Sequence, residues 1–308
     1  MNSAAFAVRQ ANFADEIDFY TPGLKRYATS ELPKQDSRAF LPVSLTGGGC
    51  ALQCDHCAAR IIQPMFAVTA EEGLFDLCAR LAAGGTRGVL ISGGSDRTGA
   101  VPFKKHLPDI ARVKRELDLQ VIVHTGLIRE EAVRGLSDAA VDGAMIDIIG
   151  ADETIRDVYH LPARVADFER SLELLAHYRL SIIPHIVLGL HYGHLLGEDN
   201  ALRIISRYPV SALILVVLTP LVGTKMEGLQ PPPPDEVLPF FGQARMALPE
   251  VRVMLGCARP LGSLKAQLDR AAVDSGFNGI AYPAEGVVAY AGQRGLTPRF
   301  FDSCCSIV

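Results

Sequence analysis

The sequence predicts an α/β protein folded as a (β/α)8 barrel of the TIM type, and three observations carry that expectation. Short, near-continuous apolar runs such as 88–92 (GVLIS) and 212–218 have the composition of parallel strands covered on both faces. Strand and helix signals alternate about every 30 residues, the size of a βαβ unit. The chain has 308 residues and is 49% hydrophobic, enough for one large barrel with a filled core. A partial six-unit barrel with a C-terminal extension is the alternative, because the last two units are the weakest.

Residues 1–40 precede the repeat and are expected to cap the barrel. The repeat itself is placed at 41–299, and a cysteine-containing tail follows at 300–308. The first strand is 41–45, which runs into Thr46 and then Gly47, Gly48 and Gly49. A helix is expected over 69–83, opened by Thr69 and Glu72 as a capping box. The second strand, 88–92, ends at Gly93 and Gly94, and 110–117 is helical. The third strand is 120–124 (QVIVH), followed by a helix at 130–140; the fourth is 143–149. A strongly amphipathic helix covers 165–178, with Phe168, Leu172 and Leu175 on one face. The fifth strand is 181–188, then a helix at 201–208 and the sixth strand at 212–218. Four prolines, 231–234, stiffen the link to a helix that reaches Ala247. A seventh strand at 251–255, a helix at 263–274, a short eighth strand at 279–282 and a last helix at 284–294 complete the pattern.

Composition narrows the function classes. A net charge of −4 gives no basic stripe for nucleic acid. The longest apolar run is far too short to cross a bilayer, and the N-terminal segment, with Asp15, Glu16 and Asp18, does not read as a secretory signal. Seven cysteines without such a signal point to a reducing cytoplasm and to metal or redox use rather than disulfides.

The chemistry is concentrated at strand ends, where a barrel builds its active site. After the first strand comes Cys50-Ala-Leu-Gln-Cys54-Asp-His56-Cys57. Three thiolates at this spacing suit an iron–sulfur cluster with one open iron. Spacing alone does not exclude a zinc ion completed by His56 or by a remote residue, but structural zinc sites usually come as two paired knuckles and the chain has no second CxxC, which favours the cluster. His124, Asp147 and His185 also fall at strand ends. Cys78, inside the first helix, reads as core.

The triplet, with His56 before its last cysteine and Gly93-Gly94-Ser95 after the second strand, resembles the radical S-adenosylmethionine (SAM) superfamily, and biotin synthase homologues within it. The resemblance implies that Cys50, Cys54 and Cys57 hold a [4Fe-4S] cluster whose open iron binds SAM, and that these cysteines are the catalytic centre. It implies cofactor contacts from His56, Gly93, Gly94 and Ser95, the last standing where an acid is common. It implies a ribose contact at Asp147, a carboxylate contact at Arg170 with Arg164 as its substitute, and adenine contacts at Val187 and Leu188.

Biotin synthase draws sulfur from a second cluster, and this chain lacks cysteines at the corresponding inner strand ends. It has Cys257 after the seventh strand and Cys304 and Cys305 in the tail, which are expected to ligate a second iron–sulfur cluster if the tail folds over the barrel mouth. The stretches SLTGGGCALQCDHC, GVLISGGSD, HTGL, HIVLGLHYG and LGCARP resemble one component of the two-protein lipoyl synthase. That likeness implies sulfur insertion into an octanoyl-lysyl substrate on a lipoyl carrier protein or peptide. It also implies a second radical SAM partner and a reductant such as ferredoxin or flavodoxin.

Overall fold

The computed structural model describes residues 3–23 and 25–307. Eleven strands among them form one parallel sheet: β1 Glu16–Tyr20, β2 Phe40–Ser44, β3 Phe66–Ala67, β4 Gly88–Ser92, β5 Gln120–His124, β6 Gly143–Asp147, β7 Ile182–Leu188, β8 Ala212–Val217, β9 Arg252–Leu255, β10 Gly279–Ala281 and β11 Thr297–Phe301. The eight strands expected from the sequence are β2 and β4 to β10. The hydrogen-bonded order is β11-β1-β10-β9-β8-β7-β6-β5-β4-β2-β3. The sheet curls into a partial barrel, and its ladder ends at β11 and β3 rather than closing.

Helices α1 Ser3–Asn12, α2 Leu74–Ala83, α3 Leu107–Glu116, α4 Glu130–Asp138, α5 Asp152–Asp157, α6 Val165–His177, α7 Glu198–Ile205, α8 Pro234–Ala247, α9 Ser263–Asp274 and α10 Val287–Gln293 connect the strands. The helix expected from Thr69 begins only at Leu74. Thr69 Oγ1 accepts the Glu72 N–H at 3.1 Å, but the Glu72 carboxylate bonds Arg80 at 2.6 Å instead of returning to the Thr69 backbone. The two residues therefore close a turn ahead of the helix.

Strand β1 lies inside the segment expected only to cap. Its Asp18 breaks the apolar pattern, yet it is buried and paired with Arg252 of β9 and, at 2.7 Å, with Arg299 of β11. Strand β11 straddles the expected barrel–tail boundary and contains Pro298 and Arg299. The two main strands at the open seam, β2 and β11, carry Pro42 and Pro298, each lacking an amide donor. A cavity of about 280 Å³ sits at this seam, lined in part by Phe40, Gly88, Gln120, Phe300 and Asp302.

Two apolar cores result from strand alternation. The larger lies between sheet and helices and takes Val121 and Val123 of β5. The smaller fills the barrel lumen with Ile122, Met145, Ile183, Ile214 and Met254 from successive strands. The chain after β11 joins this inner core, so Cys304 and Cys305 pack against lumen residues at 8% and 5% exposure. The tail thus fills the lumen instead of lying over its mouth. No helix among the described residues is long and apolar enough to cross a membrane.

Candidate active site

The loop after β2 is held under backbone strain. Gln53, Ala58 and Ala59 adopt positive φ of 49°, 42° and 59°, costly for residues with a Cβ and typical of functional loops. Ligand atoms of Cys54, His56 and Cys57 lie within 4.8 Å of one another, while Cys50, half-buried on the same loop, stands outside that group. The two thiols of this trio shift in opposite directions. The hydrogen bond to Cys57, reinforced by burial, raises the Cys54 thiol well above its ordinary value. The Cys54 hydrogen bond, with help from His56, holds Cys57 down to about 4 against burial. His56 Nδ1 is buried and has no partner. Two soft thiols beside an orphaned imidazole nitrogen fit a thiolate-bound metal group.

Asp55 anchors this loop from below. Its buried carboxylate meets His160 Nε2 at 2.7 Å, accepts the Tyr192 hydroxyl at 2.8 Å and pairs with Lys225 at 2.9 Å. Burial alone would raise its pKa, but these three partners hold it below the ordinary range.

Gly93, Gly94 and Ser95 pack directly against the same loop. The Gly94 N–H donates to Thr46 Oγ1 at 2.7 Å, and the Ala51 N–H donates to the Ser95 carbonyl at 2.8 Å. A Cβ on Gly94 would lie 2.0 Å from the Gly49 carbonyl oxygen and 2.6 Å from the Cys50 Cα, so only glycine fits.

Asp147 ends β6 facing the mouth. His124 Nε2, from the end of β5, is 3.6 Å away, and the His124 and His185 rings meet edge-to-face at 5.9 Å. Burial works against charge on both partners, but their mutual attraction prevails: Asp147 is held down to about 2 and His124 is raised. Burial lowers His185 to about 4, so it stays neutral. Tyr159 packs on His56 at 5.1 Å between centroids, and its buried hydroxyl has no partner.

The remaining expected contacts separate. Val187 is half-buried and touches the lumen core, whereas Leu188, fully buried, packs in the outer core among the helices. Alternation along β7 sends the two to opposite faces. Arg170 lies on the outer side of α6, 2.6 Å from Glu173, at the wall of a cavity of about 300 Å³ shared with Thr98 and Arg129. Arg164 is exposed at the start of α6.

Cys257 follows β9, reached by solvent yet crowded enough that burial raises its thiol. Cys304 and Cys305 are hydrogen-bonded to each other, which holds Cys304 down to about 7 and raises Cys305. The charges of Cys304 and Cys305 both act on Cys257 or are felt from it, and Cys304 also senses His124. Arg259 is fully engaged: Nε and Nη2 meet Asp269 at 2.5 and 3.0 Å, and Nη1 donates to the Gly256 carbonyl at 2.7 Å. Lys265 pairs with the same carboxylate at 3.1 Å. The guanidinium is therefore spent on fixing the Gly256 turn, leaving the thiol of Cys257 as the free donor at this position.

Sequence reasoning missed Asp55, Tyr159, His160, Tyr192 and Lys225. An acid between two cysteines of the triplet was the one legible signal; its partners come from three other loops.

A sequence model described as the Radical SAM superfamily matches residues 44–205. The chain is 25% identical to biotin synthase of Geotalea daltonii over 225 residues, covering 69% of this chain and 66% of that protein. It is 24% identical to mitochondrial biotin synthase of Emericella nidulans over 237 residues, covering 70% and 56%. The match thus spans less than two thirds of the length of these relatives. Among solved structures, methylornithine synthase superposes with a TM-score of 0.65 at 15% identity, covering 97% of this chain and 88% of that one. The FeFe-hydrogenase maturase HydG from Carboxydothermus hydrogenoformans superposes with a TM-score of 0.66 at 14% identity, covering 97% and 71%.

Proposed function

The chain belongs to the radical SAM superfamily, and on that premise we propose that it inserts sulfur at an unactivated C–H bond, as a lipoyl synthase component acting on an octanoyl-lysyl substrate. One observation carries the sulfur-insertion reading. The tail brings Cys304 and Cys305 into the barrel lumen, within electrostatic reach of Cys257. A second set of thiols inside the barrel, apart from the Cys50–Cys57 loop, has the donor chemistry for a second iron–sulfur cluster.

In this reading Cys50, Cys54 and Cys57 hold the first cluster, with Cys50 drawn in on loading. A [4Fe-4S] cluster held there would supply the one electron for cleavage of SAM to methionine and a hydrogen-abstracting 5′-deoxyadenosyl radical. The chain's own residues do the rest. Asp55 and its partners hold the loop, Gly93 to Ser95 support it from β4, and Asp147 and Val187 face the place of the nucleoside. The lumen core excludes water from the reacting carbon. Arg170 would turn from Glu173 to meet the methionine carboxylate. A second radical SAM protein and a ferredoxin or flavodoxin reductant belong to the same proposal.

Iron and sulfide are counted after anaerobic reconstitution. About eight irons per chain support two [4Fe-4S] clusters, and about four remove the sulfur donor. Mass analysis of an octanoyl-lysyl peptide, with and without the partner protein, then reads the reaction; a gain of one sulfur is expected.

A second reading rests on the closeness of Cys54, His56 and Cys57, which suits one zinc ion. Stoichiometric zinc in a colourless protein, without SAM cleavage under dithionite, would establish it. Replacing Cys54 with Ala abolishes cleavage if the radical reading holds.

A further inference from the structure

Positive charge gathers around one aromatic residue, Tyr282, at the edge of the lumen. Tyr282 is 1% exposed and packs in the lumen core with Cys304 and Cys305. Its hydroxyl is within electrostatic reach of all three thiols, Cys257, Cys304 and Cys305. Its carbonyl accepts Arg259 Nη2 at 3.0 Å and also Lys265 Nζ. Lys25 Nζ, on the segment after β1, lies 4.3 Å from the centre of the Tyr282 ring and 5.6 Å from that of Tyr27. The two rings meet edge-on at 5.2 Å, and Tyr27 itself packs against the lumen core.

The charges around this residue do not balance. Arg259 and Lys265 share a single carboxylate, Asp269. Lys25 makes no ion pair among the described residues. Three cations thus face one carboxylate beside three thiols. Burial and the charge of Arg259 both work against the Lys25 ammonium, and the charge that favours it is that of Cys257. Two aromatic faces hold a cation in place by about 0.5–2 kcal/mol but do not neutralise it. An iron–sulfur cluster on three thiolates is anionic, and its net charge is one of the quantities that set its potential.

We propose that Lys25 is the counter-charge of the second thiol site: held on Tyr27 and Tyr282, its ammonium offsets the negative charge that Cys257, Cys304 and Cys305 bring when they ligate a cluster, and so retains that cluster and raises its reduction potential. This role rests on the sulfur-insertion reading for the cluster and adds the residue that balances it. Lys25 acts through the thiols, as a positioning residue.

Two readouts test it, one of them without any cluster. In the apo-protein, Cys257, which solvent reaches, is alkylated with anionic iodoacetate and with neutral iodoacetamide, and the modified peptide is quantified by mass spectrometry. Both reagents attack the same thiolate, so the ratio of their rates reports the charge beside it. Lys25→Met should lower that ratio about threefold or more, and Lys25→Arg should restore it. The second readout uses the full chain carrying Cys50→Ala/Cys54→Ala/Cys57→Ala, reconstituted so that iron occupies only the second site. There Lys25→Met should speed removal of iron by a chelator about tenfold. It should also lower the reduction potential by about 59 mV, a tenfold change in a one-electron equilibrium. Lys25→Arg should match the parent in both. An unchanged ratio, or unchanged iron loss and potential, in Lys25→Met overturns the role. So does an arginine variant that behaves like the methionine one, because side-chain shape rather than charge would then matter. If the triple-alanine chain with Lys25 intact takes up no iron, the sulfur-insertion reading fails and the cluster role falls with it, even where the alkylation ratio has changed.

Discussion

His124 and Asp147 face each other 3.6 Å apart across neighbouring strands, at the mouth of a partial barrel whose lumen is otherwise apolar. The pair gives the apo-protein a pH signature. Asp147 is depressed to about 2, so its contribution is complete above the ordinary carboxylate value near 4 and disappears as pH falls toward 2. His124 is raised, so its contribution is complete below about 6.5 and is lost as pH rises through its folded value. Both count between about pH 4 and 6.5. Replacing Asp147 with Asn should cost about 1 kcal/mol near pH 5.5 and clearly less near pH 9, measured by urea unfolding. An equal cost at both values would show that the pair adds no stability.

Gly94 tests the contact between the β4 turn and the cysteine loop. An Ala there must displace the Gly49–Cys50 backbone, because its Cβ meets backbone atoms at 2.0 and 2.6 Å. Gly93→Ala meets Thr46 Oγ1 at 3.0 Å and can be accommodated by a small shift. The Gly94 variant should keep its fold by circular dichroism but lose most of its first-cluster iron. The Gly93 variant should retain at least half. Equal loading of the two would mean that the turn does not shape the loop.

Among the described residues Asp269 is the sole carboxylate on two buried cations, Arg259 and Lys265. Its replacement by Asn should destabilise the protein by about 3–5 kcal/mol, as expected when a buried charge loses its partner. Replacing all three by apolar residues of similar size should recover most of that loss. If the single and triple variants unfold at the same denaturant concentration, the cost lies in packing and not in charge.

The tail serves packing and chemistry separately, and two variants divide them. Ending the chain after Asp302 empties part of the lumen and should cost about 2–5 kcal/mol. Replacing Cys304 and Cys305 with Ser should cost less, keep SAM cleavage and remove the second set of irons. Retention of about eight irons in the serine variant would place the second cluster elsewhere.

Loop anchoring at Asp55 is read by cluster lability. Asp55→Asn weakens the contacts to His160 and Lys225 and should speed chelator removal of first-cluster iron about tenfold, since partners of this kind hold ligands in place. An unchanged rate would mean that the strained loop is held by its backbone alone.

Strands such as Gly88–Ser92 and Gln120–His124 were legible because burial on both faces leaves a continuous apolar run. Strands β1 and β11 were not, because Asp18 and Arg299 neutralise each other across the sheet and no single segment reveals that pairing. The cysteine loop was legible because its residues are contiguous. The Asp55 anchor was hidden because His160, Tyr192 and Lys225 converge from three distant segments. The tail's cysteines were noticed as chemistry, but their burial depends on the curl of the whole open sheet around the lumen, which no single segment reveals.

That the tail fills the lumen also orders the protein's birth. Residues 304–307 leave the ribosome after every strand whose inner face they cover, so vectorial folding leaves a hollow barrel until they arrive.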